Sequence, residues 1–93
     1  MQVNRVYRRL FKLNELLDSY RQELTVLDAQ LETFHDEYED TYTRSLVSDN
    51  RFDRQEEQMA SRTIKALQSQ RDVVIARVEQ AEAERAKLLG LLT

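Results

Sequence analysis

The sequence has no cysteine, no proline, no tryptophan and a single glycine, Gly90. Without cysteine there is no disulfide, no thiolate metal site and no cysteine nucleophile, and the redox compartment stays open. Lacking proline and nearly lacking glycine, the chain favours long uninterrupted helices over a turn-rich sheet fold. Long apolar runs are missing as well. The N-terminus reads Met1-Gln2-Val3-Asn4-Arg5, with no signal-peptide core, and nowhere do about 18 apolar residues follow one another. Conventional export and membrane spanning are therefore not expected. The expected compartment is the cytoplasm, with export by a signal-peptide-independent route left open.

What is present is charge and heptad order. The chain has 93 residues, 33% of them charged. It is long enough for one domain and too short to be more than marginally stable, unless its packing is very regular or shared with a partner. The net charge of −3 is unevenly spread. Arg5, Arg8, Arg9 and Lys12 make the first twelve residues purely basic, whereas the stretch 13–43 carries nine acids and only Arg21.

From Val3 onward apolar residues fall on a seven-residue repeat. Val3, Leu10, Leu17, Leu24, Leu31 and Tyr38 hold one position; Val6, Leu13, Tyr20, Leu27 and Phe34 follow three residues later, and Thr41 breaks the second series. A stripe with mean spacing of 3.5 residues stays on one side of a slightly supercoiled helix, which is the coiled-coil signature. It predicts helix from about 3 to 46. The second half repeats the frame with smaller and more polar members. Ala60, Leu67, Val74, Ala81 and Leu88 interleave with Glu57, Ile64, Arg71, Val78, Arg85 and Leu92, predicting helix from about 50 to 92. A turn is expected at about 47–50, where Ser48, Asp49 and Asn50 tolerate turn geometry.

Antiparallel helices joined by a short loop set residues opposite each other at mirrored distances from the turn. Centring the loop on Asp49 puts Leu10 opposite Leu88, Leu17 opposite Ala81, Leu24 opposite Val74, Leu31 opposite Leu67 and Phe34 opposite Ile64. Tyr38 then faces Ala60 and Val6 faces Leu92, so the two stripes coincide along their length, with several large residues opposite small ones. The acidic 32–40 stretch passes alongside Arg62 and Lys65. The expected fold is all-α: one domain, 1–93, forming a long two-helix antiparallel coiled-coil hairpin with arms of about 65 Å at about 1.5 Å per residue. Assembly into a four-helix bundle, with itself or with a helical partner, is the expected way to complete its packing.

Chemistry-bearing patterns are few. Glu32-Thr33-Phe34-His35 has the Glu-x-x-His spacing that serves di-iron bundles. Here, however, Phe34 occupies the stripe while Glu32 and His35 flank it, and Ala60, Ile64 and Leu67 lie across from it, so a solvated face is the expected reading. The carboxylates Asp36, Glu37, Glu39 and Asp40 converge on no nucleophile or glycine-rich turn, so no catalytic, metal or cofactor site and no small-molecule substrate are expected. Arg71 and Arg85 stand in the seam opposite Leu27 and Leu13. Their stems are expected to cover the stripe while the guanidinium groups reach acids such as Glu23, Asp28 or Glu15, fixing register at some cost in stability. The alternative is that they meet carboxylates on a partner helix.

Apolar residues also spill beyond the seam near the chain ends. Tyr7, Phe11 and Leu16 lie beside the first stripe, and Val73, Ile75, Leu89 and Leu91 beside the second. Flanking hydrophobics widen a stripe to the breadth that a third or fourth helix requires. These seven residues are the expected partner-binding set, on a non-catalytic protein-interaction module acting as an adaptor, assembly factor or dedicated chaperone. The alternative is a coiled-coil dimeriser whose basic N-terminal helix binds nucleic acid or anionic membrane.

In size and layout the chain resembles families of small hairpin partners, among them type III secretion stalk proteins and the helical proteins that accompany type VII secretion toxins. It departs from the latter at the turn, where Ser48-Asp49-Asn50 stands in place of Trp-x-Gly. The resemblance is one of architecture, and implies accompanying a secreted or assembling protein as the kind of role.

Overall fold

The computed structural model describes residues 2–48 and 51–93. Two helices account for nearly all of them: α1, Gln2–Ser48, and α2, Arg51–Gly90, packed antiparallel as a hairpin. No strand occurs among the described residues. Asp53 in the first turn of α2 and Lys87 in its last turn complement the helix dipole. The centre of the loop, placed at Asp49 by the sequence, lies outside the described residues, as does Asn50.

Two helix ends differ from those expected. α1 runs to Ser48 rather than ending near 46. Nothing in Ser45-Leu46-Val47 forces a break, and the Ser45 hydroxyl sits 2.8 Å from the Tyr42 carbonyl of its own helix and 3.0 Å from Glu57, so it satisfies itself without ending the helix. α2 stops at Gly90 rather than at 92. The Leu91 amide is shared between the Lys87 and Leu88 carbonyls at 3.3 and 3.1 Å, and Leu92 donates to Leu89 at 3.1 Å. This tightening to three-residue steps is the usual way a helix end satisfies its last carbonyls. The Thr93 hydroxyl adds a bond to the Gly90 carbonyl at 3.0 Å.

Contacts gather into two compact units, each holding a stretch of both helices. The first consists of Met1–Thr25 and Asp72–Thr93. Its core is apolar: Leu10, Leu13, Leu17, Val74 and Ala81 are buried, with Leu13 and Leu17 at 1% exposure. Leu13, Leu17 and Ala81 form one cluster, against which Val78 and Leu88 pack. Large leucines on α1 thus close over a small alanine on α2, as interdigitating packing requires.

The second unit is Val26–Arg71. Among the described residues here Leu27 and Ile64 are buried, and so is Thr41, the one that interrupts the stripe. Leu31, Phe34, Tyr38, Ala60 and Leu67 are only half-buried. The same heptad frame continues through this unit with less apolar burial.

Candidate functional site

In the first unit the seam is closed, and what it leaves outside decides where a partner could sit. Tyr7, Phe11, Val73, Leu89 and Leu91 are exposed, Phe11 at 68% and Leu91 at 72%. Leu16 and Ile75 are half-buried. Leu16 lines a shallow depression of about 150 Å³ with Arg9, Leu13, Tyr20, Ala81 and Glu84, so it already has neighbours within its own chain. Tyr7 and Phe11 are one turn apart and share a face of α1. Along α2, Val73 stands about 24 Å from Leu89, at about 1.5 Å per residue. The seven residues are therefore spread over the unit rather than gathered in one patch, with the strongest exposure near the chain ends.

Polar contacts across this unit fix its register. Arg9 grips Glu84 with both ends of its guanidinium, Nε to Oε1 at 2.9 Å and Nη2 to Oε2 at 2.8 Å. That donation holds the Glu84 carboxyl below the ordinary carboxylate value and raises Arg9 further above neutrality. Arg21 reaches Asp18 at 3.8 Å and Glu82 at 3.9 Å. Arg85, in the seam, donates through Nη1 to Asn14 Oδ1 at 3.3 Å, a neutral amide where Glu15 was the expected kind of partner. In the register centred on Asp49, Asn14 lies one residue from the position opposite Arg85.

In the second unit Arg71 donates through Nε to Asp28 Oδ1 at 2.7 Å, again one residue from direct opposition. Further along, the seam turns polar. Tyr38 OH lies 3.5 Å from Glu57 Oε1, and Ser45 Oγ lies 3.0 Å from Glu57 Oε2. Buried Thr41 donates to the Glu37 carbonyl at 2.8 Å and accepts from Arg44 Nη2 at 3.2 Å; Arg44 also meets Glu56 at 3.3 Å. Glu57 and Thr41 were legible as polar intruders in the stripe, but their partners, Tyr38 and Ser45 for Glu57 and Arg44 for Thr41, were not. Arg62 and Lys65, placed by the sequence beside the acidic stretch, make no ion pair within 4.0 Å among the described residues.

This unit also carries a set of exposed hydrophobics that the sequence reading passed over: Val26, Tyr42, Leu46, Val47, Phe52 and Met59, with Val47 at 84%. Tyr42 stacks on Tyr38, ring centres 6.1 Å apart and planes 22° apart. An open groove of about 440 Å³ runs over Phe34, Glu37, Thr41, Arg44, Glu56 and Met59. The sequence signal for this set is the four-residue step from Tyr38 to Tyr42 to Leu46, which lies away from the chain ends where the flanking apolar residues were expected.

Glu32 and His35 are both exposed, on the solvent side of α1. Among the described residues no three acids or histidines come together to hold a metal ion, and no helix is long and apolar enough to cross a membrane. Compared with protein-family models, curated proteins and solved structures, the chain matches none.

Proposed function

We propose that the chain is a non-catalytic protein-interaction module that binds a helical partner through apolar side chains its own seam does not cover. The observation that carries this reading is the exposure of Tyr7, Phe11, Leu89 and Leu91 in a unit whose core is otherwise well closed. Large apolar side chains left in water beside a finished core gain from burial by about 25 cal/mol per Å², and an added helix is the element whose shape fits a widened heptad stripe. Exposed Arg5, Arg8 and Lys12 around them supply charge that selects and orients the partner. Adaptor, assembly factor and dedicated chaperone are the roles of this kind that a small hairpin serves.

The test is copurification from the native cell with the chain as bait, alongside bait carrying Tyr7→Ser and Phe11→Ser. Circular dichroism checks that the hairpin is intact. A helical protein, or the chain itself, retained by the native bait and lost from the variant is the expected result. A folded, monomeric chain that retains nothing would sink the reading. Nucleic acid or anionic vesicles retained in place of protein, and released by moderate salt, would transfer the function to the basic turns.

A further inference from the structure

We propose that the open groove of the second unit is a further docking surface, and that its occupant is a basic amphipathic helix of another protein. The groove shares no residue with the apolar set near the chain ends, so the inference goes beyond the role proposed for that set.

The groove, of about 440 Å³, lies wholly within the unit Val26–Arg71. Seam residues form its floor: Phe34 and Ala60, half-buried, and Thr41, buried. The Thr41 hydroxyl is held by the Glu37 carbonyl and by Arg44, so what the floor offers an occupant is apolar contact. On the α2 side stand Met59, 66% exposed, and Thr63. An exposed methionine is a flexible apolar side chain that adapts to whatever covers it. Val47 and Phe52, both exposed, stand one heptad from Asp40 and Met59 and continue the apolar surface towards the end of α1 and the start of α2. From Phe34 to Arg44 the groove extends about 15 Å at about 1.5 Å per residue, which accommodates about three turns of helix. A third helix laid along two packed helices is the element that fits such a groove.

Charge selects the kind of helix. On the α1 side the groove is edged by Glu37 and Asp40, both exposed and with no cation within 4.0 Å among the described residues. Arg44 also lines it, but lies 3.3 Å from Glu56 and 3.2 Å from Thr41, so its charge is met within the chain. Arg62 and Lys65, on the same stretch of α2, lie outside the lining. An occupant that was apolar all round would cover the two carboxylates without a partner, which is costly. Two copies joined groove to groove would set the same acids against each other. A helix of another chain with cations beside its apolar stripe meets both walls. Glu37 and Asp40 stand three residues apart on α1, so lysines or arginines three or four residues apart on the occupant reach both.

The test uses the intact 93-residue chain and a fluorescent helical peptide of leucine and lysine, about 14 residues long or about four turns, with the lysines flanking a leucine stripe. Saturable binding by anisotropy is expected at about 0.15 M salt, where distant charges are screened. Glu37→Gln with Asp40→Asn is expected to weaken it about tenfold, and Met59→Ser by a similar factor. Glu15→Gln with Glu23→Gln, the same loss of charge outside the groove, is expected to leave it unchanged, and circular dichroism checks that each variant keeps its helices. A native chain that does not bind overturns the proposal, as does a control pair that loses as much as the groove pair. Equal binding of a peptide with its leucines and lysines scattered around the helix also overturns it. So does a dimer of the chain alone that the groove pair dissolves, since a second copy would then be the occupant. The Tyr7→Ser, Phe11→Ser chain is expected to bind the peptide as the native chain does. Binding lost there and kept by the groove variants overturns the groove and leaves the chain-end surface standing.

Discussion

In the unit built from Met1–Thr25 and Asp72–Thr93 the seam positions hold Leu10, Leu13, Leu17, Val74 and Ala81, all buried. In the unit Val26–Arg71 the corresponding positions include Tyr38, Thr41 and Glu57, joined to Ser45 and Arg44 by hydrogen bonds. One repeat thus supports two kinds of cohesion. Apolar burial is strong and insensitive to direction, while a polar network contributes less net stability but demands particular partners at particular distances. The difference locates the strongest apolar resistance to unfolding in the first unit, where polar contacts flank a closed core, whereas in the second unit polar groups enter the seam itself.

The sharpest way to break the comparison is to hollow out each seam. Leu17→Ala, at a position almost wholly buried under Ala81, is expected to cost about 2–5 kcal/mol in urea unfolding. Thr41→Val keeps the volume, and Arg44 retains Glu56, so its cost is expected to stay near or below about 1 kcal/mol. Equal losses at the two sites would refute the division between apolar and polar cohesion. Glu57→Ala, which strips the acceptor from Tyr38 and Ser45, is expected to cost about 1 kcal/mol. A double-mutant cycle with Tyr38→Phe should return less than the sum of the single losses, as members of one network do.

A smaller effect concerns acid. The folded state holds the Glu84 carboxyl below its ordinary value through its bond from Arg9, so the stabilisation is present above the unfolded-state value and is lost as pH falls through the folded one. Arg9, raised by the same bond, loses its share only far into the alkaline range. Thermal melts are expected to show native chain and Glu84→Gln converging as the solution is acidified, and converging also in high salt because the pair is half-exposed. A gap that persists in acid would remove the pair from the account. The smallest change is Gly90→Ala. A methyl there meets nothing, and the substitution is expected to stabilise the end of α2 by up to about 1 kcal/mol, read as slower amide exchange at Leu89 and Leu91.

Much of this was legible because a heptad repeat is a one-dimensional code for a two-helix seam. The stripe from Val3 to Tyr38 predicts α1, and the mirrored match of Leu17 with Ala81 predicts the pairing that the buried cluster contains. α1 runs two residues past the expected end near 46, because no residue of 45–47 forces a break and Ser45 finds partners without leaving the helix. Leu16 shows the limit at the candidate surface. A residue beside the stripe can be counted as surplus from its position, but whether a neighbour such as Arg9 or Tyr20 shelters it depends on rotamers that no repeat encodes.

Sequence alone determined that the described chain is helical, that two helices face each other through a seven-residue stripe, and roughly which residues stand opposite. Those properties follow from backbone propensity and periodicity, which are local. Tertiary structure decided that Arg85 turns to Asn14, that Arg9 and Glu84 lock together, and that Thr41, Tyr38 and Glu57 form a polar seam. Those choices depend on side-chain reach across the pair, where a few tenths of an ångström separate a hydrogen bond from none.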